Sequence, residues 1–198
     1  MTTAHIFGAG GHARVIASTV RHLHASVAFL TIEEEEVVLE NPERFRDTAL
    51  YLGIGNNARR RALFDRLLTV GLTPTTCISP DASVASNVEI GAGSVICAGA
   101  VIVTGVVLGC NVIVNTLSSV DHDNQIGDHT QITAGVTLGG DVRVGVECFF
   151  GIKSAVLPQQ TLGDRVTVMG GTLVHRSYPS DVTVGGNPSM LLRSDPRT

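Results

Sequence analysis

Every sixth residue from Ile78 to Val174 is apolar. The series runs Ile78, Val84, Ile90, Ile96, Ile102, Leu108, Val114, Val120, Ile126, Ile132, Leu138, Val144, Phe150, Val156, Leu162, Val168 and Val174, with no insertion to break the register. At ordinary apolar usage, chance would yield seventeen such positions about once in a million trials. An α-helix needs a period near 3.6 and a flat strand a period of two, so a strict six excludes both as the main architecture. Each hexapeptide reads as a short strand that sends one side chain inward and then turns, and three of them close an 18-residue triangular coil. Coils stack at the usual strand spacing of about 4.8 Å, and residues 78 to about 185 give roughly six of them. Periodicity alone leaves the hand of the solenoid open.

Two further positions repeat. The residue after the apolar one is Gly at 91, 109, 127, 139, 145, 151 and 163, with Asn115 and Asp121 as the other residues that tolerate left-handed dihedrals, which places the left-handed turn there. Four residues after it comes a second small or β-branched residue: Ala82, Val88, Ser94, Ala100, Val106, Val112, Ser118. The core is aliphatic by necessity, since aromatic residues are 4% of the chain and Trp is absent.

Residues 1–76 differ in texture. His5-Ile6-Phe7 reads as a strand entering Gly8-Ala9-Gly10-Gly11-His12, followed by a helix over Ala13 to His24. A second strand over Val27 to Ile32 ends in the solvated run Glu33–Glu36, with one member free to meet a ribose or base. A third, Ala49 to Ile54, ends in Gly55-Asn56-Asn57 before an amphipathic helix over Ala58 to Val70. The order β-α-β-β-α fits a small parallel sheet. The short run Arg59-Arg60-Arg61 reads as the solvated face of that last helix.

The glycine loop between strand and helix suits a phosphate, because backbone N–H groups and a helix N-terminus face the anion with no Cβ in the way. Read literally, Gly8-x-Gly10-x-x-Ala13 with Glu33 about 20 positions on also meets the dinucleotide fingerprint. Three strands make only a mononucleotide-sized half, so a nucleotide or nucleotide-sugar pocket, a dinucleotide site and a purely structural turn all stay open.

The polar concentration of the repeat region is Asn115, Asp121 to Gln125, Asp128, His129 and Gln131. His122 lies two places after Val120, at an outward corner, with a carboxylate on either side to orient the imidazole for proton transfer. Gly140 is His122 plus 18, in the same column one coil on, and its amide is a candidate oxyanion donor. Ala134, Ile152 and Gly170 form a second column suited to an extended pantetheine arm. A plain solvated corner is the competing reading of Asp121-His122-Asp123. Zinc chemistry of the kind seen between β-helix subunits needs a histidine five residues before the next, but Leu117 stands there and His129 is seven after, so no metal is expected.

The net charge of −4 offers no basic cluster for nucleic acid. No apolar run approaches the ~20 residues of a membrane span. Cys77, Cys97, Cys110 and Cys148 have neither zinc nor redox spacing. A soluble cytoplasmic protein with reduced thiols is the expectation.

The landmarks Ile6-Phe7-Gly8-Ala9-Gly10-Gly11-His12, Ile54-Gly55-Asn56-Asn57, Val114-Asn115-Thr116, Val120-Asp121-His122-Asp123, Phe149-Phe150-Gly151-Ile152, Val156-Leu157-Pro158 and Val184-Gly185-Gly186-Asn187-Pro188 resemble the bacterial nucleotide-amino-sugar acetyltransferases. That group includes UDP-4-amino-sugar and GDP-perosamine N-acetyltransferases and sialic acid O-acetyltransferases. The resemblance implies a left-handed parallel β-helix over 77–185, a Rossmann-like α/β nucleotide-sugar-binding domain over 1–76 and a C-terminal tail over 186–198. It implies acetyl-CoA as co-substrate and a homotrimer with active sites between subunits. His122 then stands as the base and Asp123 as the acid that raises its basicity. Gly140, Ile152 and Gly170 stand as acetyl-CoA contacts. Gln131 occupies the place of a cofactor-contacting histidine. Gly10, Gly11, His12, Glu33, Gly55 and Asn56 stand as the nucleotide-sugar pocket. The expected activity is N-acetylation of a nucleotide-linked 4-amino-sugar. The alternatives are O-acetylation of sialic acid or another sugar, and a non-catalytic sugar-binding β-helix. Ile32-Glu33-Glu34 replaces the paired aspartates usual in the family, and Gly186-Asn187-Pro188-Ser189-Met190 replaces its Gly-x-Pro-Ala-Lys.

Overall fold

The computed structural model describes residues 3–194. The tail positions 195–198 of the 186–198 segment lie outside the described residues.

A three-stranded parallel sheet opens the chain, built of β1 (Thr3–Phe7), β2 (Ser26–Leu30) and β3 (Ala49–Leu52) in the order β2-β1-β3. Around it stand α1 (Gly11–Val20), α2 (Ile32–Glu40) and α3 (Asn57–Thr69). The helix α2 corrects the expectation of a solvated strand end at Glu33–Glu36. Thr31 accepts from the Glu34 N–H and the Glu34 carboxylate accepts from the Thr31 N–H, a reciprocal capping box that satisfies two orphan donors. Only Glu35 and Val38 are buried on this helix, so no apolar periodicity announces it.

From Cys77 onward the chain is a parallel β-helix of two-residue strands, each pairing with the strand 18 residues later, as Ile113 does with Gln131 and Val114 with Ile132. Three sheets form its faces. Face one holds eight strands, beginning with Cys77–Ile78 and ending with Val182–Gly185 and the antiparallel Met190–Ser194. Face two holds the six that begin with Ser83–Val84, and face three the five that begin with Glu89–Ile90. From Ile96 on, the register residues fill the interior almost without exposure, as in Ile96, Ile102, Val114, Val120, Ile132, Leu138 and Phe150. The residues four further on also point inward, including Ala100, Val106, Val112, Asn124, Thr130 and Cys148. Each hexapeptide thus buries two side chains, not one.

The turn chemistry differs from the expected one. The left-handed residue is the third after the register position, at Asn111, Leu117, Asp123, His129, Asp141, Glu147, Lys153, Gln159 and Arg165, with φ of 54–62°, and at Gly93, Gly99, Gly105, Gly135 and Gly171, with φ of 66–72°. The glycines directly after the register residue are there for space: a Cβ on Gly91 would lie 2.5 Å from the Cys110 nitrogen, and one on Gly127 2.6 Å from the Gly145 carbonyl carbon. They let one coil's corner sit on the next.

The α/β unit packs on face one. Ile6, Ile16, Ala17 and Tyr51 join Cys77, Val95, Cys97 and Ile113 in one apolar cluster. The outward residues of the first three coils of that face are covered, whereas Gln131, Phe149 and Thr167 on the next coils remain open. The reading of Arg59-Arg60-Arg61 as a solvated face is also corrected. Arg60 is fully buried between α3 and the β-helix, Arg59 pairs with the buried Glu35, and Arg61 pairs with Glu147.

Candidate functional site

The corner between faces two and three carries His122. Its backbone N–H donates to Asp121 Oδ1 at 2.8 Å, and its carbonyl accepts from the Asp141 N–H of the next coil at 2.9 Å. Asn124, buried behind it, donates to the Asp121 and Gly139 carbonyls and ties the two coils together. The imidazole Nδ1 lies 2.9 Å from Asp123 Oδ2. With Nδ1–H donating to that carboxylate, the neutral ring presents Nε2 as its free base. The Asp123 hydrogen bond raises the His122 pKa, and the fields of Asp121, Asp123 and Asp141 add to it.

Gly140 lies against this ring. A Cβ there would stand 2.5 Å from His122 Cε1 and 3.0 Å from Cδ2, so only glycine lets the imidazole rest at this height. The Gly140 amide donates to no acceptor among the described residues. At the equivalent place on the next corner the Cys110 and Val146 amides are taken by the Asp128 and Asp164 carboxylates at 2.7 and 3.0 Å. His122, Asp123 and Gly140 therefore meet as the 18-residue spacing requires.

Ile152 and Gly170 stack with Ala134 on a different corner, between faces one and two. A Cβ on Gly170 would lie 3.2 Å from the Ile152 carbonyl oxygen. The amides of all three residues find no acceptor among the described residues, so the column is a ladder of unpaired N–H groups. Such a ladder suits an extended chain with amide carbonyls.

Gln131 is on neither column. It sits on face one, at the floor of a cleft of about 360 Å³ walled by Gly55, Asn56 and Asn57 with Phe149 and Arg165. Its Oε1 is buried without a protein partner. A second cleft, of about 470 Å³, lies on the other side of the same loop, between Gly8, Gly10, Glu33, Gly55 and Arg59. Glu34, Glu35 and Glu36 are committed to the helix cap, Arg59 and Arg66 respectively. Glu33 lines this cleft, with no ion pair among the described residues and with backbone and Thr31 hydrogen bonds that lower its pKa. Gly10 caps α1 without a side-chain bond, and no acidic residue occupies the first turn of that helix, where Gly11 and His12 stand. His12 does not line either cleft. Its ring is largely buried beside Arg60, and its Nε2 has no partner. Burial first, and the Arg60 charge second, push its pKa down to about 4.

A larger trough of about 720 Å³ runs along face three past Gln125 and Arg143, and neither His122 nor Gly140 lines it. Among the described residues no three His, Cys, Asp or Glu side chains converge as a metal-binding group. No helix of these residues is long and apolar enough to cross a membrane. Sequence reasoning missed Arg60 and Asn57, which the fold joins by a hydrogen bond of 3.0 Å.

Within one chain the His122 corner lies across the coil from the face-one cleft and from the α/β unit that packs on that face. The structure brings together the base corner, the column and the clefts each by itself, and does not join them in one subunit.

The fold and this corner define a left-handed β-helix acyltransferase. The chain is similar over 97% of its length to the whole acetyltransferase domain of PglB from Neisseria gonorrhoeae, at 32% identity and a TM-score of 0.90. That domain is also known in complex with acetyl coenzyme A, where the likeness is 31% over 96% of this chain and 98% of that one, at a TM-score of 0.89. PerB from Caulobacter crescentus, in complex with CoA and GDP-perosamine, matches at 27% identity over 96% of this chain and 97% of that one, with a TM-score of 0.90. No family model matches the chain. Among curated proteins, the UDP-3-O-acylglucosamine N-acyltransferase of Herminiimonas arsenicoxydans is 38% identical over 58 residues, 29% of this chain and 17% of that protein. The chain spans less than a third of the length of the curated relatives it matches. It belongs to the bacterial nucleotide-amino-sugar acetyltransferases.

Proposed function

We propose that the protein transfers the acetyl group of acetyl-CoA to the amino group of a nucleotide-linked 4-amino-sugar, with His122 as general base. The observation that carries this is the His122 ring, held by Asp123 and seated on the unpartnered Gly140 amide. Nε2 takes a proton from the sugar amine as the nitrogen attacks the thioester carbonyl, and the N–C bond forms. The resulting oxyanion accepts from the Gly140 N–H. When the intermediate collapses the C–S bond breaks, and the CoA sulfur leaves with the proton returned by the imidazolium.

Asp123 raises the basicity of His122. The amide ladder at Ile152 and Gly170 holds the pantetheine arm. Gln131, at the floor of the face-one cleft, contacts acetyl-CoA in the place of the family's histidine. Gly10, Gly11, Glu33, Gly55 and Asn56 form the nucleotide-sugar pocket, with His12 behind it rather than in it: the α1 N-terminus takes phosphate and Glu33 takes a ribose hydroxyl. In this reading residues 1–76 bind the nucleotide-sugar, 77–185 carry out acyl transfer and 186–198 form a C-terminal tail. Because the base corner and the clefts face apart within a subunit, the working unit is a homotrimer in which each site draws on two neighbouring β-helices.

The test is release of CoA thiol by the purified protein with UDP-, GDP- and dTDP-linked 4-amino-sugars, beside free sialic acid. Turnover with one of the amino-sugars is expected, and His122→Ala should lower kcat by roughly 10²- to 10⁴-fold. Turnover with sialic acid alone would replace N- by O-acetylation, and an unchanged rate in His122→Ala would remove this mechanism.

A further inference from the structure

Arg60 is 0% exposed, among the largest fully buried side chains of the described protein. A buried guanidinium ordinarily faces a carboxylate, since an isolated interior charge is costly. Here every partner is neutral. Nε donates to Asn111 Oδ1 at 3.0 Å, and Nη1 to the Ile54 and Gly55 carbonyls at 3.3 and 3.5 Å. Nη2 donates to Asn57 Oδ1, the His129 carbonyl and the Asn111 carbonyl at 3.0, 3.2 and 3.5 Å. No ion pair involves it among the described residues. The donors are satisfied while the charge is not cancelled.

Its position gives that charge a direction. Gly55 walls both clefts, and Asn56 and Asn57 wall the one on face one. Arg60 lies directly beneath this shared wall, bonded to its carbonyls on one side and to the β-helix corner at Asn111 and His129 on the other. Asn57 also donates to the Cys148 carbonyl, so the loop is pinned to the coils whose outward residues floor the cleft. We propose that Arg60 is a positioning residue that fixes the Gly55–Asn57 loop on the β-helix, and that its uncancelled charge is answered by the phosphates of the nucleotide-sugar. This rests on the proposed nucleotide-sugar reading. It differs from a direct phosphate contact, because all the guanidinium donors are already engaged inside the protein.

The two roles separate in one substitution. Asn111 lies in neither cleft, and its φ of 56° suits Asp as well as Asn. Asn111→Asp keeps an acceptor for Arg60 Nε and supplies the missing carboxylate, and its second oxygen, in place of the Nδ2 that lies 2.8 Å from His129 Nδ1, accepts from that nitrogen in the Nδ1–H tautomer. Binding of UDP, GDP and dTDP is measured by calorimetry, alongside thermal unfolding. The wild type is expected to bind at least one of these nucleotides, and Asn111→Asp to bind it about tenfold more weakly, the order expected of one buried charge acting across a protein wall. The variant should melt higher than the wild type, and its KM for acetyl-CoA should not change. A more stable protein with a weaker nucleotide site is an outcome that a purely structural Arg60 does not produce. Equal nucleotide affinity in the two proteins, or a lower melting temperature in the variant, overturns the inference while the nucleotide-sugar reading stands. A wild type that binds none of the three nucleotides removes that reading and the inference together. As a second variant, Arg60→Lys keeps the charge but not the fork. It should raise the KM for the nucleotide-sugar with kcat lowered less than fivefold, and a loss confined to kcat would refute the positioning role.

Discussion

Adding one methyl group at Gly140 tests the geometry of the proposed active corner. Gly140 is not among the left-handed glycines, so alanine brings no backbone strain. The new Cβ would lie 2.5 Å from His122 Cε1, whereas carbon–carbon contacts settle near about 3.5 Å. The imidazole must therefore retreat by about 1 Å. Its side chain is 53% exposed, so it can do so by swinging into solvent, and the fold should lose little: a shift in Tm below about 2 °C. Activity should suffer far more. A displacement of about 1 Å in a reacting group costs on the order of 10²-fold, and misaligning an oxyanion donor costs roughly 10²- to 10³-fold. We expect kcat in Gly140→Ala to fall by about 10²- to 10³-fold, or ~3–4 kcal/mol of barrier, with the KM for the nucleotide-sugar within twofold of wild type. Steady-state CoA release together with a thermal melt measures both quantities. A variant that keeps more than a third of the wild-type kcat would show that the ring does not work from its seat on Gly140. A large drop in Tm would show instead that the glycine serves packing.

Three further outcomes follow from the same structure. Asp123→Asn takes the charge from the acceptor whose hydrogen bond does most to raise the His122 pKa, and because the base works deprotonated, the acid limb of the kcat/KM profile should move to lower pH as the plateau falls about tenfold; a limb that stays in place would assign it to another group. His12 is neutral in the fold with its pKa lowered to about 4, so as pH drops below its unfolded value of about 6.5 the unfolded chain gains a proton that the folded chain refuses. Stability should decline between about pH 6.5 and 4 by roughly 3 kcal/mol, and urea melts across that window should flatten in His12→Asn. Thr31→Ala opens the capping box of α2 and should cost about 1 kcal/mol in urea unfolding, an effect whose absence would mean that packing of Val38 alone holds the helix.

The solenoid was legible because its period is strict and its inward positions accept only apolar or small side chains. The same arithmetic joined His122 to Gly140, since columns in a coil of fixed length need no knowledge of the rest of the molecule. What stayed hidden depends on contacts between distant segments. The left-handed position carries Gly at 93, 99, 105, 135 and 171 but Asn, Leu, Asp, His, Glu, Lys, Gln or Arg elsewhere, so coil geometry imposes the conformation on residues of every kind and glycine marks it only in part. The glycines directly after the register residue, which seemed to mark it, answer to crowding from the next coil. Thr31 and Glu34 did spell a capping box, but four consecutive glutamates conceal which of them turns inward. Arg60 could not be told from Arg59 and Arg61 without knowing that Asn111 and His129 abut α3. Gln131 stands among the acetyl-CoA contacts through the resemblance alone, apart from the Ala134, Ile152 and Gly170 column. In space it lies on face one beneath Asn56, because nine residues carry the chain halfway around the coil.

The unbroken register also governs how this chain can change length. Between Ile78 and Val174 one inserted or deleted residue would turn an interior side chain outward and leave every later coil out of step with the one before it. A whole coil of eighteen residues could be gained or lost with every lattice position kept. The molecule would then differ only in height, by about 4.8 Å per coil. A coil added below His122 and Gln131 would raise both away from the Gly55–Asn57 loop, whereas one added above Gly170 would leave that spacing untouched. Length in this protein is quantised, and only the upper end is free to vary it without moving the chemistry.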